Sequence, residues 1–163
     1  MKTTGNTILI TGGGSGIGQA LAHRWHDAGN TVIITGRRQE ALDEAVKGRD
    51  RMTAYMLDVT QDASVHAFVR QVVADHPALN VLVNNAGVFS LEKVTAQRDL
   101  ADTEQMIATN LLGPIRMTNA LIEHLGTRPD AALINVSSGL AFVPYPASPT
   151  YSATKAEIGR AHV

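Results

Sequence analysis

Thr7–Gly18 reads TILITGGGSGIG, and the order of residue types in it decides the fold. A short β-branched, apolar run is followed at once by glycines, and the glycines run into the helical pattern Ile17–Ala28. Strand, glycine turn and helix make one βα unit, and the rest of the chain repeats the alternation. TVIIT (31–35), MTAYML (52–57), NVLV (80–83) and AALINVS (131–137) read as further buried strands, near-continuously apolar rather than alternating. Between them lie helical stretches at 38–46 and 63–75 and a long one from about Asp102 to Leu125. Regular alternation of this kind predicts an α/β domain with a parallel sheet and helices on both faces. Right-handed crossovers make such a sheet doubly wound, and its ligand binds where the carboxyl ends of the strands enter their loops.

Composition narrows the partners. The 163 residues suffice for one well-buried domain, and 14 basic against 15 acidic residues leave no excess that favours nucleic acid or an anionic membrane. A small-molecule partner is therefore expected. The chain holds no cysteine, which excludes disulfides, thiolate metal sites and thiol nucleophiles and fits a reducing cytoplasm. No apolar stretch is long enough to span a bilayer, and the N-terminus lacks the apolar core of a signal peptide.

The glycine turn does not match G-x-G-x-x-G in any register. It matches T-G-x-x-x-G-x-G, with Gly12, Gly16 and Gly18. Further motifs follow in order: LDVT (57–60) after the third strand, NNAG (84–87) after the fourth, NLLGP (110–114) within the long helix, Ser138 after the fifth strand, and YSATK (151–155). Taken together, these resemble the single-domain short-chain dehydrogenase/reductase family, and the resemblance runs from Thr7 to about Ala156. The N-terminal half is most similar to its bacterial DltE-like branch. Ser15 stands where the extended, sugar-nucleotide branch needs a glycine, which sets that branch aside.

The resemblance implies a Rossmann-type sheet in the strand order 3-2-1-4-5. It also implies a dinucleotide held by Gly12, Ser15, Gly16, Ile17 and Gly18 of the turn, by Asp58 and Val59 beside the adenine, and by Asn84, Ala86 and Gly87 along the adenosine. NAD sites carry an acidic residue at the end of the second strand, whereas an arginine there accommodates a 2′-phosphate. Here the strand ends TGRR, so Gly36 removes the carboxylate and Arg37 and Arg38 supply guanidinium groups, which favours NADP(H) over NAD(H).

Tyr151 and Lys155, at i and i+4, share one helix face. A free phenol titrates near pH ~10, and an adjacent ammonium favours its phenolate. By resemblance Tyr151 is the general acid or base, Ser138 donates to the substrate oxygen, Lys155 also holds the nicotinamide ribose, and Asn110 anchors a relay water. The expected activity is hydride transfer between NADP(H) and an alcohol or carbonyl substrate. The expectation from a different class is a dinucleotide-binding or interaction module without turnover. Ser137 is the neighbour a miscount would choose, and the thirteen-residue spacing to Tyr151 selects Ser138. His23 and His26 lie three apart but lack an acidic partner at ligand spacing, so they read as solvated helix histidines rather than a metal site. A Ser-His-Asp hydrolase would need G-x-S-x-G at a strand-to-helix turn, which GGSGI does not supply.

Two departures complete the reading. Members of the family continue past the Tyr/Lys helix with two more strands, a substrate loop and subunit-contact helices, so the chain is expected to be truncated, its fifth strand an edge and its full-length parent a homo-oligomer. The last six residues, IGRAHV (158–163), are what a common short-read sequencing adapter encodes before an in-frame stop. Residues 1–157 are accordingly expected to form the truncated domain and 158–163 a non-native tail.

Overall fold

The computed structural model describes residues 2–160. Five strands form one parallel sheet: β1 (Thr7–Thr11), β2 (Thr31–Gly36), β3 (Met52–Met56), β4 (Leu79–Asn84) and β5 (Ala132–Asn135). Their order is β3-β2-β1-β4-β5. The crossovers are α1 (Gly16–Asp27), α2 (Gln39–Val46), α3 (Asp62–Asp75) and the pair α4 (Ala101–Ile107) and α5 (Gly113–Gly126); α6 (Pro149–Arg160) follows β5.

Period-two alternation sorts the strand side chains onto two faces, and both faces are covered. Ile8, Ile10, Val32, Ile34, Val81 and Val83 pack on one side with Ala22 of α1 and with Leu42 and Ala45 of α2. Leu9, Ile33 and Leu82 point to the other side, onto Val65, Phe68 and Val72 of α3 and Met117, Leu121 and Leu125 of α5. All six residues of β4 are buried, as a central strand between helical layers requires.

β5 is the edge strand that was expected, but it is shorter than the stretch 131–137. Only Ala132–Asn135 pair, and all four residues are half-buried, because β5 has β4 on one side and no strand on the other. The long helix predicted from Asp102 to Leu125 is three elements. A π turn, Ala108–Leu112, separates α4 from α5, and it contains Asn110. A π turn inserts extra backbone into a helix, commonly at functional positions, and hydrophobic periodicity cannot register one residue of slippage.

The histidine expectation is also corrected. His23 is half-buried with Nε2 2.8 Å from the Ala45 carbonyl. The His26 side chain is 12% exposed and lies between Asp27 (3.1 Å) and Asp50 (3.3 Å), an acidic partner that only the fold brings near. Among the described residues no cluster of three or more His, Asp or Glu side chains could hold a metal ion, and no helix is long and apolar enough to cross a membrane. The helix α6 crosses the expected boundary at residue 157, with Ile158 buried; residues 161–163 of the suspected tail lie outside the described residues.

Candidate active site

A cavity of about 530 Å³ opens at the carboxyl ends of the strands, and the glycine turn forms its floor. The turn is built by two close approaches. Gly12 has φ +69°, and a Cβ there would lie 2.9 Å from the Ala86 Cα, so a side chain is excluded by both conformation and contact. A Cβ on Gly18 would overlap the Gly12 carbonyl oxygen, so the first turn of α1 can close on the loop only with glycine at this position. Thr11 and Asn85 fasten the loop from the side. The Thr11 hydroxyl accepts from the Asn85 and Ala86 backbone N–H groups, each at 3.1 Å, and the Asn85 side-chain amide donates to the Thr11 carbonyl at 2.9 Å.

The N-terminus of α1 faces this cavity without an internal partner for its first N–H groups. Its N-cap Ser15 makes no capping hydrogen bond, and the first turn has no acidic residue. Unsatisfied N–H groups and the positive end of the helix dipole suit a diphosphate. The Ser15 hydroxyl instead accepts from Arg38 at 3.0 Å, which draws that guanidinium over the turn. Arg37 lies in the same wall and makes no hydrogen bond or ion pair among the described residues. Asp58 also lines the cavity, its carboxylate accepting from the Thr60 N–H and hydroxyl at 2.9 and 2.8 Å.

Every expected cofactor contact lines the cavity except Asn84. The Asn84 amide donates to Asn135 of β5 (2.9 Å) and Thr118 of α5 (3.2 Å), a brace across the sheet end. Tyr151 and Lys155 of α6 form the far wall. The Lys155 Nζ lies 5.8 Å from the Tyr151 ring centre and donates to the Val136 carbonyl at 2.9 Å. Lys155 is 5% exposed and has no carboxylate partner among the described residues, and burial lowers its pKa from the ordinary lysine value. Gly87 of NNAG lines the same cavity, where a Cβ would meet that Nζ at 3.5 Å, an ordinary van der Waals contact.

The two serines divide their roles by orientation. Ser137 is in the cavity wall, but its hydroxyl donates to the Lys155 carbonyl at 2.7 Å and so ties β5 to α6. Ser138 is not among the residues that line the cavity; its Oγ accepts from the Leu140 N–H at 3.2 Å, which leaves its own proton to donate elsewhere. Asn110 is 1% exposed and lies behind the wall. Its amide brackets the Val88 backbone, accepting from the N–H at 2.8 Å and donating to the carbonyl at 2.9 Å, and reaches Thr154 of α6 at 3.3 Å.

Three residues that sequence reasoning did not single out matter here. Asn85, inside the quoted NNAG, locks the glycine turn, and the motif itself was the available signal. Phe89 lines the cavity and meets the Tyr151 ring edge to face, centroids 5.1 Å apart, and Glu92 joins the same loop to α6; neither carries a signal in the sequence.

Comparison with known proteins agrees with this geometry. The family model described as short chain dehydrogenase matches residues 6–160. The chain is 39% identical over 161 residues to the uncharacterized oxidoreductase DltE of Bacillus subtilis, covering 97% of this chain and 63% of that protein. It is 33% identical over 150 residues to the NADP-dependent 3-hydroxy acid dehydrogenase YdfG of Shigella flexneri, covering 91% and 60%. The chain thus spans about 60% of the length of the curated relatives it matches. Among solved structures, the 3-ketoacyl-(acyl-carrier-protein) reductase of Brucella melitensis complexed with NADH superposes with TM-score 0.88 at 28% identity, covering 96% of this chain and 67% of that one. ElxO with NADP bound gives TM-score 0.86 at 29% identity, covering 95% and 64%. Residues 6–160, carrying the glycine turn, NNAG and the Tyr/Lys helix onto one cavity, belong to the short chain dehydrogenase family of NAD(P)-dependent oxidoreductases.

Proposed function

We propose that this chain carries the cofactor and proton-transfer sites of an NADP(H)-dependent oxidoreductase that interconverts an alcohol and a carbonyl compound. The observation that carries the reading is that Tyr151 and Lys155 open onto the same cavity as the uncapped N-terminus of α1. The residues present fit a dinucleotide: the glycine approaches leave room for a diphosphate, Arg37 and Arg38 flank the place of a 2′-phosphate, and Lys155 lines the same cavity. When bound, the nicotinamide supplies or accepts the hydride.

The chain's own residues manage the proton. In the reducing direction Tyr151 gives its phenolic proton to the substrate oxygen, and Ser138, whose Oγ already accepts from Leu140, donates a hydrogen bond to the same oxygen as charge builds on it. Lys155, fixed by the Val136 carbonyl, stands beside the resulting phenolate. Asn110, whose side-chain amide holds the Val88 backbone and Thr154, would anchor the water that continues the proton relay.

Fluorescence titration with NADPH and NADH tests the cofactor half. Arg37→Ala and Arg38→Ala should each weaken NADPH binding about tenfold, the ~1.4 kcal/mol expected of a charge-assisted phosphate contact, and leave NADH binding unchanged. Tighter NADH than NADPH binding in the unmutated chain would overturn the preference. Turnover of a carbonyl panel, abolished by Tyr151→Phe, tests the chemical half; binding without turnover in a form extended to the length of the relatives would favour a dinucleotide-binding module instead.

A further inference from the structure

The helix that carries Tyr151 and Lys155 starts without a cap of its own. The α6 first turn has no acidic residue, and the hydroxyl of Ser148, just before it, donates away from the helix to the Ser90 carbonyl at 2.7 Å. The Thr150 N–H is met instead by a carboxylate 58 residues earlier in the chain. Glu92 Oε2 accepts from that N–H at 2.8 Å, and Oε1 accepts from the Thr150 hydroxyl at 2.8 Å, the Thr103 hydroxyl at 3.0 Å and the Arg98 guanidinium. Glu92 is 6% exposed, a position a carboxylate takes only when its lone pairs are satisfied.

The same loop holds α6 at two further points. The Glu92 N–H donates to the Ala147 carbonyl at 2.7 Å, and Phe89 meets the Tyr151 ring. Thr150 immediately precedes Tyr151, so whatever sets the first turn of α6 sets the direction of the phenol. Burial by itself would raise the Glu92 carboxyl, but Thr150, Thr103 and Arg98 outweigh it and hold the group below its ordinary value. The anion is therefore the resident form at neutral pH.

We propose that Glu92 is a positioning residue for Tyr151: it caps α6 from the loop after β4, and so fixes the phenol against Phe89 in the cavity wall. The inference rests on the assignment of Tyr151 as the proton-transfer group, but its test does not require turnover or cofactor. In the full chain labelled at tyrosine and phenylalanine, the Tyr151 ring resonances are assigned by their loss in Tyr151→Phe, and the Phe89–Tyr151 nuclear Overhauser effect reports the packing. Glu92→Gln should shift the Tyr151 resonances and lose that Overhauser effect. Val72→Ala, a cavity in the core below α3, should lower the melting temperature while leaving both signals intact.

Glu92→Gln with a lowered melting temperature and both Tyr151 signals unchanged would overturn the proposal and leave Glu92 a purely structural residue. If that variant does not fold, Thr103→Val decides. It removes one hydrogen bond to the carboxylate from α4, and it should weaken the same Overhauser effect; an unaltered one rejects the proposal. Failure of the unmutated chain to bind NADPH would sink the functional reading and leave this result standing.

Discussion

Lys155 shows the opposing demands of stability and chemistry within a single side chain. Its ammonium is buried, bonded to one carbonyl and unpaired with any carboxylate among the described residues. Burial lowers its pKa below the ordinary 10.5, so the fold disfavours the charged form. Because the unfolded chain binds the proton more tightly, stability is reduced while the lysine is protonated and recovers as pH rises through the lowered folded value toward 10.5. Lys155→Met, of similar length and uncharged, should therefore raise the melting temperature at neutral pH by ~2–4 °C, corresponding to ~1 kcal/mol, and abolish the alkaline recovery. Thermal melts at pH 7 and pH 10 check this, and a lower melting temperature for the methionine variant would sink it. That a lysine is kept here at such a cost fits a functional rather than a packing role.

At the scale of elements, α6 and the loop after β4 are joined at several points. Ser90, Glu92 and Phe89 all contact the segment Ala147–Tyr151. The folded pKa of Glu92 is depressed, so its contribution is fully present above the ordinary glutamate value of 4.5 and is lost as pH falls through the lower folded value. Glu92→Gln should consequently flatten the acid limb of the stability profile below about pH 4.5 and lower stability at neutral pH, where Arg98 is left without its carboxylate. Urea denaturation across that pH range measures it; an acid limb as steep as in the unmutated chain would show that other carboxylates carry the effect.

Across the whole molecule, the two ends of the sheet do different work. The cavity occupies the carboxyl ends of the strands, while the opposite ends are sewn together by three buried asparagines. The Asn30 side-chain Oδ1 accepts from the Asn6 backbone and side chain at 3.0 and 2.9 Å, its side-chain amide nitrogen donates to the Thr3 and Trp25 backbone carbonyls, and the Asn80 side-chain amide donates to the Asn6 Oδ1 at 3.2 Å. Asn30→Ala strands several of these groups, and each buried orphan costs ~1–3 kcal/mol, so the variant should lose at least ~2 kcal/mol in urea. NADPH affinity of the folded protein should stay within about twofold, the ~0.3–0.5 kcal/mol to which distant sites are independent. A large loss of affinity would mean that the two ends of the sheet communicate.

Legibility followed the range of the interactions concerned. Strand, glycine turn and helix could be read from Thr7–Gly18 because each depends on local chemistry: β-branched residues favour the pleat, and only glycine tolerates the φ and close approach at Gly12. Repetition of that unit implied the doubly wound sheet, and the ordered motifs implied a family to which residues 6–160 do belong. The π turn at Asn110, the turning of Asn84 toward Asn135 and α5, and the capture of α6 by Glu92 had no local signature, whereas the edge at β5 was expected from the sequence. The Asn84 and Glu92 contacts depend on residues tens of positions apart meeting in space. The sequence by itself therefore determined the elements and the chemical groups available, while only the tertiary structure decided which of those groups face the cavity and which hold them there, since burial and hydrogen-bond partnership are properties of the packed chain.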